Sequence, residues 1–180
     1  MSMQRKPYEE FDRHSLESFQ QAEKIPVTLV LDNIRSGLNI GSIFRTADAF
    51  RIQSIYLCGI SATPPAREVL KSALGATESV SWKYSATTLE CLKELKDRKV
   101  KLIGVEQLKE SIALDHFTFP LQLSIALILG NEVNGVSEDC LPMLDSALEI
   151  PQFGTKHSFN VAISAGIVLW EYYRQLSGPI

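Results

Sequence analysis

The sequence is short of the features that would place it quickly in a function class. Its three cysteines, Cys58, Cys91 and Cys140, are far apart and odd in number, which fits a reducing compartment better than a disulfide framework. No apolar run approaches the roughly eighteen residues that a membrane span needs. The opening stretch, MSMQRKPYEEFDRHSLESFQQAEK, is polar and mixed in charge, so it does not read as a secretory signal. A cytosolic protein is expected. A basic excess is missing too. Lys and Arg number 18 against 21 Asp and Glu, a net charge of −3, which argues against indiscriminate phosphate binding but leaves room for an enzyme with a local basic groove. His14, His116 and His157 have no metal-ligand spacing to one another or to the cysteines, so no metal is expected. There is no G-x-G-x-x-G, no G-x-x-x-x-G-K-[ST] and no G-x-S-x-G. A triad built on Ser158 and His157 is disfavoured, because sequence neighbours rarely aim at each other.

What is present is ordinary for a globular chain: 45% apolar, 22% charged, and at 180 residues enough for one well-buried core. Residues 1–25 read as an N-terminal helix or arm, with Phe11, Leu16 and Phe19 as apolar positions of a helix over 5–24. Residues 26–180 read as one domain. Strands are predicted at 27–31, 54–57, 80–82, 101–105, 123–129 and 147–150, with helices over 39–47, 66–73, 89–99, 138–144 and 160–175 between or after them. Asn39 is placed as the N-cap of the first of these helices, and Arg45 points away from its apolar stripe. This alternation predicts an α/β fold, a mostly parallel sheet of about six strands with helices on both faces. The last helix is apolar nearly all round until Glu171. One side is expected on the sheet and the other against a second copy, the alternative being a central helix of a monomer.

Three segments draw the chemistry together. The first is Asn39-Ile40-Gly41-Ser42-Ile43-Phe44-Arg45-Thr46-Ala47, and the second is Gly130-Asn131-Glu132-Val133-Asn134-Gly135. The third runs from Ile150-Pro151 to Gly154 and on to Ser158-Phe159-Asn160, which opens the last helix. A glycine-broken strand end, a second strand end and a helix N-terminus are the make-up of a ligand site at a sheet's carboxyl edge. In order and spacing the three resemble the motifs of the SpoU (TrmH-like) branch of the SPOUT RNA methyltransferases, over about residues 27–175. Phe159 stands where that family usually has Leu, and Gln152 where Met is common.

The resemblance implies an S-adenosylmethionine-dependent methyltransferase acting on an RNA ribose 2′-hydroxyl. It also implies a Rossmann-like N-terminal half, a C-terminal trefoil knot that holds the cofactor, and a homodimer formed through the C-terminal helix. It assigns catalytic roles to Asn39, Arg45, Glu132, Ser158 and Asn160, and cofactor contacts to Glu106, Gly130, Ile150 and Phe159, with Gln107 beside Glu106 in another wall. Each polar residue also has a plainer reading. Asn39, Ser158 and Asn160 could be helix caps, Arg45 a surface ion-pair partner, and Glu132 the holder of its own turn. Arg67 and Lys71, and Lys156 with His157, could meet RNA phosphates or simply face solvent. Transfer RNA is expected over ribosomal RNA, because the chain lacks the separate RNA-binding domain of many ribosomal members. Arg5, Lys6, Arg13 and Lys24 could add to an RNA groove. Two rivals stay open: a SPOUT enzyme that methylates a base nitrogen, and a non-catalytic knotted RNA-binding module.

Overall fold

The computed structural model describes residues 3–7 and 14–178. Its frame is one seven-stranded sheet in the order β3-β2-β1-β6-β4-β7-β5. The strands are β1 (Ile25–Asp32), β2 (Ile52–Cys58), β3 (Trp82–Ser85), β4 (Lys101–Val105), β5 (Ile112–Ala113), β6 (Ile125–Leu129) and β7 (Ser146–Glu149). Every pairing is parallel, so all carboxyl ends lie along one edge. The seventh strand beyond the expected six is β5, whose two residues are too few to leave a periodic signal. The strand expected at 80–82 begins at Trp82 instead, since Val80 is the buried C-cap of a one-turn helix. That expected at 123–129 begins at Ile125, leaving Leu123 exposed.

Helices α1 (Leu16–Gln21), α2 (Gly37–Ala49), α3 (Arg67–Ala73), α4 (Ala76–Ser79), α5 (Thr88–Asp97) and α6 (Val161–Ser177) cover both faces. Alternate strand residues feed two core layers. Leu29, Leu31, Ile55, Leu57, Ile125 and Leu127 pack with α2, α3 and α6. Val30, Tyr56, Leu102, Ala126 and Ile128 pack with α5 and the 3₁₀ helix Glu138–Met143. Both layers are dry enough that parallel strands read as continuous apolar runs.

The N-terminal helix is shorter than the predicted one, and Phe11 and Arg13 lie outside the described residues. Ser15 caps it, Phe19 is its buried anchor, and Gln20 Nε2 donates to Glu78 O at 3.4 Å. Lys24 is folded onto Phe19, with Nζ 3.4 Å from the ring centre, so it does not reach toward a groove.

The connections define where a ligand would fit. From β1 the chain moves outward through β2 to β3. From β6 it moves the other way, past β4, to β7. The crevice between the carboxyl ends of β1 and β6 is therefore the switch point of the sheet. Among the described residues no helix is long and apolar enough to cross a membrane.

Candidate active site

Helix α2 starts earlier than predicted. Ser36, not Asn39, is its N-cap, and the Ser36 side chain accepts from Asn39 N at 3.3 Å. A serine three residues upstream satisfies that orphan donor better than Asn39 could from within the first turn. The Asn39 carboxamide is thereby freed. Its Nδ2 donates to Glu132 Oε1 at 2.6 Å, and its Oδ1 accepts from Asn160 Nδ2 at 3.1 Å. Three residues from three separate segments thus form one hydrogen-bonded chain, Glu132–Asn39–Asn160. Asn160 also caps α6, its Oδ1 accepting from Ala162 N at 3.0 Å, so its plainer reading and its site placement hold together.

Glu132 can reach outward because its neighbour holds the turn. Asn131 Oδ1 accepts from Val133 N at 3.0 Å and from Asn134 N at 2.9 Å, while Asn131 and Gly135 exchange backbone hydrogen bonds. This is an Asx turn. The reading of Glu132 as the holder of its own turn is therefore corrected: Asn131 does that work, with a carboxamide well suited to it.

The loops after β4, β6 and β7 enclose a cleft of about 390 Å³. Glu106, Gly130, Glu132, Ile150, Ser158 and Phe159 line it, and Gln107, Gln152 and His157 complete its polar side. The walls are tied together. Glu106 Oε2 accepts from Val136 N and Oε1 from Gln107 N, each at 2.9 Å, while Gln107 Nε2 donates to His157 O at 3.0 Å. Gly130 serves this closure directly. A Cβ there would lie 1.9 Å from Gly135 C and 2.1 Å from Val136 N, so the returning chain occupies the space of a side chain. Gly130 still lines the cleft, and the missing side chain is what lets residues 135–136 close against it.

Arg45 is not brought to the cleft. It is exposed on α2, six residues beyond Asn39 and so about 9 Å further along the helix axis. Among the described residues it makes no side-chain ion pair, so the surface-pair reading gains no support. Ser158 lines the cleft and is exposed. Arg67, Lys71, Lys156 and His157 are exposed as well.

Residues that sequence reasoning missed sit at the end of β1. Asp32 is fully buried, and its carboxylate accepts from Asn33 Nδ2 at 2.8 Å, from Ser137 N at 2.7 Å and from Thr88 Oγ1. It pins the 130s loop and α5 to β1. The only signal was an acidic residue closing an apolar strand. Cysteine chemistry is unsupported, because all three thiols are buried. Burial, with Asp139 and Asp32 nearby, pushes Cys140 up to about 12, and a hydrogen bond with Cys58 raises Cys91.

With this geometry in place, comparison with known proteins is decisive on one point. Residues 26–170 match the SpoU rRNA Methylase family. The chain belongs to that family. It is 34% identical over 167 residues to the 23S rRNA (guanosine-2′-O-)-methyltransferase RlmB of Neisseria meningitidis, covering 90% of this chain and 64% of that protein. The SpoU methyltransferase AviRb of Streptomyces viridochromogenes, solved in complex with the cofactor AdoMet, superposes with a TM-score of 0.77 at 26% identity, over 87% of this chain and 63% of that one. An AdoMet-bound rRNA methyltransferase from Sinorhizobium meliloti gives 0.79 at 25%, over 88% and 60%. This SpoU chain therefore spans somewhat under two thirds of these relatives' lengths.

Proposed function

We propose that this protein is a cytosolic S-adenosylmethionine-dependent RNA methyltransferase that modifies a ribose 2′-hydroxyl. The observation that carries the reading is the Glu132–Asn39–Asn160 chain, which joins the three motifs and through Glu132 lines a cleft of nucleoside size. The fit to the cofactor is good. Val105, Leu129, Ile150, Phe159 and Val161 offer apolar surface for an adenine ring. Glu106 keeps unused lone pairs for a ribose hydroxyl, and Gly130 lets the wall close tightly. Family relatives solved with AdoMet support the same assignment. The trefoil knot belongs to this reading, because the loops it would involve are the ones tied by Glu106 and Gln107.

When bound, the cofactor supplies an electrophilic methyl group on a sulfonium. The chain's own residues then have to place the acceptor oxygen in line with it, and positioning of this kind can provide much of the rate. Asn39 and Glu132 fix one another and orient the ribose, while Ser158 and Asn160 hold the loop and the substrate oxygen. Arg45, exposed on α2 outside the cleft, binds an RNA phosphate. A guanidinium with a pKa above about 12 is poorly suited to take the proton itself, which passes to solvent.

Transfer RNA is our first choice of acceptor over ribosomal RNA, seated in a groove between two copies. The dimer would form through α6, whose outer face exposes Ile163, Trp170, Tyr173 and Leu176. The test is transfer of labelled methyl from S-adenosylmethionine into bulk tRNA and, separately, rRNA. Label is expected in one of them for the wild type, strongly reduced in Arg45→Ala and partly retained in Arg45→Lys. Complete loss in Arg45→Lys with RNA affinity unchanged would overturn the phosphate role. Absence of both transfer and cofactor binding would favour the non-catalytic knotted module.

A further inference from the structure

A second cleft, of about 640 Å³, shares the Asn131–Asn134 turn with the cofactor cleft. Asn33 and Ser137 stand on its walls, so it opens at the switch point between the carboxyl ends of β1 and β6. That is where ligands of open parallel sheets bind. Glu132 lines both clefts, and its hydrogen bond from Asn39 ties that shared wall to α2.

Two exposed aliphatic side chains line this second space, Val133 lining the cofactor cleft as well. Ile60 is 56% exposed and Val133 is 88% exposed. Neither sits on a loose segment. Asn33, in the left-handed region at φ 57°, accepts from Ile60 N at 3.1 Å, and Asn131 accepts from Val133 N at 3.0 Å. Each exposed aliphatic is thus held by an asparagine whose carboxamide is committed to that backbone. Rigid apolar walls on a cleft fit a flat ring. Arg35, exposed and without a carboxylate partner among the described residues, stands at the same cleft. Glu132 and Glu138 are there too, so a polyanion is a poor match while a single phosphate at Arg35 with an uncharged ring beyond it is a good one.

We infer that this cleft receives the acceptor nucleotide, with its base between Ile60 and Val133 and its phosphate on Arg35. The inference rests on the methyltransferase reading and adds where the substrate base goes. The two clefts meeting at Glu132 then put the ribose at the shared wall, where the methyl group arrives.

Ile60 and Arg35 line this cleft and not the cofactor cleft, so they separate the two sites. The experiment measures steady-state methyl transfer into whichever of bulk tRNA or rRNA the wild type labels, beside S-adenosylmethionine affinity by calorimetry. Ile60→Ser should raise KM for RNA about ten-fold, and Ile60→Leu should restore it. Arg35→Ala should raise KM and lower the slope of log affinity against log salt by about 0.7, one phosphate's worth on a single strand. Cofactor affinity should not move in any of the three. KM within about two-fold of wild type for both Ile60→Ser and Arg35→Ala would overturn the inference and leave the methyltransferase reading intact. A wild type that labels neither RNA would overturn that reading and this inference together.

Discussion

At Gly130 a hydrogen is the only side chain the backbone tolerates, because the chain turns at Asn131 and comes back across it. A methyl group there would collide with backbone at Gly135 and Val136, which cannot step aside as a side-chain tip could. Gly130→Ala should therefore lower stability by about 1–3 kcal/mol, several degrees in melting temperature, and weaken cofactor binding as the loop shifts. Gly154→Ala is the control, since nothing lies within 4 Å of its Cβ, and it should melt with the wild type. Equal melting of all three would contradict the packing account. The sequence marked Gly130 as a place of close approach without showing that residues 135–136 are what approach it. A glycine at a strand end looks the same whether a ligand or the chain itself approaches. Asn39 makes the complementary case. Its site placement follows from Ser36 taking over the cap, a competition between two good caps that propensity alone leaves undecided.

At the scale of elements, α6 is held at its far end by a polar clasp. Glu171 accepts from Arg174 Nε and Nη2 at 2.8 and 2.7 Å and from Gln175 Nε2 at 2.8 Å. Gln175 in turn donates to Phe117 O at 2.8 Å and accepts from Phe119 N at 3.0 Å, fastening the 117–119 segment that packs against Tyr172. The hydrogen bonds from Arg174 come first among the causes that lower the Glu171 pKa from 4.5. A depressed carboxyl contributes stability that is fully present above the unfolded value and is lost as pH falls through the folded one. Melting followed from pH 7 down to 3 should thus show the wild type losing more than Glu171→Gln. The difference should be under about 1 kcal/mol, because Arg174 is half exposed and its charge is screened. Parallel pH profiles would refute it. This clasp was not legible in the sequence, because Gln175 acts on residues more than fifty positions away. The helix itself was, since its apolar run and its capping Asn160 are local.

For the whole molecule, the strand order is what assembles the site that the three motifs indicated. Six strands and their parallel sense follow from alternating apolar runs. Sequence carries no direct mark of which strand neighbours which, and it is the insertion of β6 between β1 and β4 that brings Glu132 to Asn39. The outer face of α6 bears on assembly. Trp170, Tyr173 and Phe50 form an aromatic cluster with ring centres 5.9 to 6.5 Å apart, and Trp170 is 51% exposed. The proposed pairing through α6 would cover this patch. Sedimentation should show a dimer for the wild type and a monomer for Trp170→Glu, whereas a wild-type monomer would remove the proposed pairing through α6.

Alkaline hydrolysis of the labelled RNA decides whether the methyl group goes to a ribose oxygen, as proposed. A methylated 2′-oxygen cannot attack the neighbouring phosphate, so the bond beside it survives alkali. The account predicts label in an alkali-stable dinucleotide. Label recovered in mononucleotides would place the methyl on a base and contradict it.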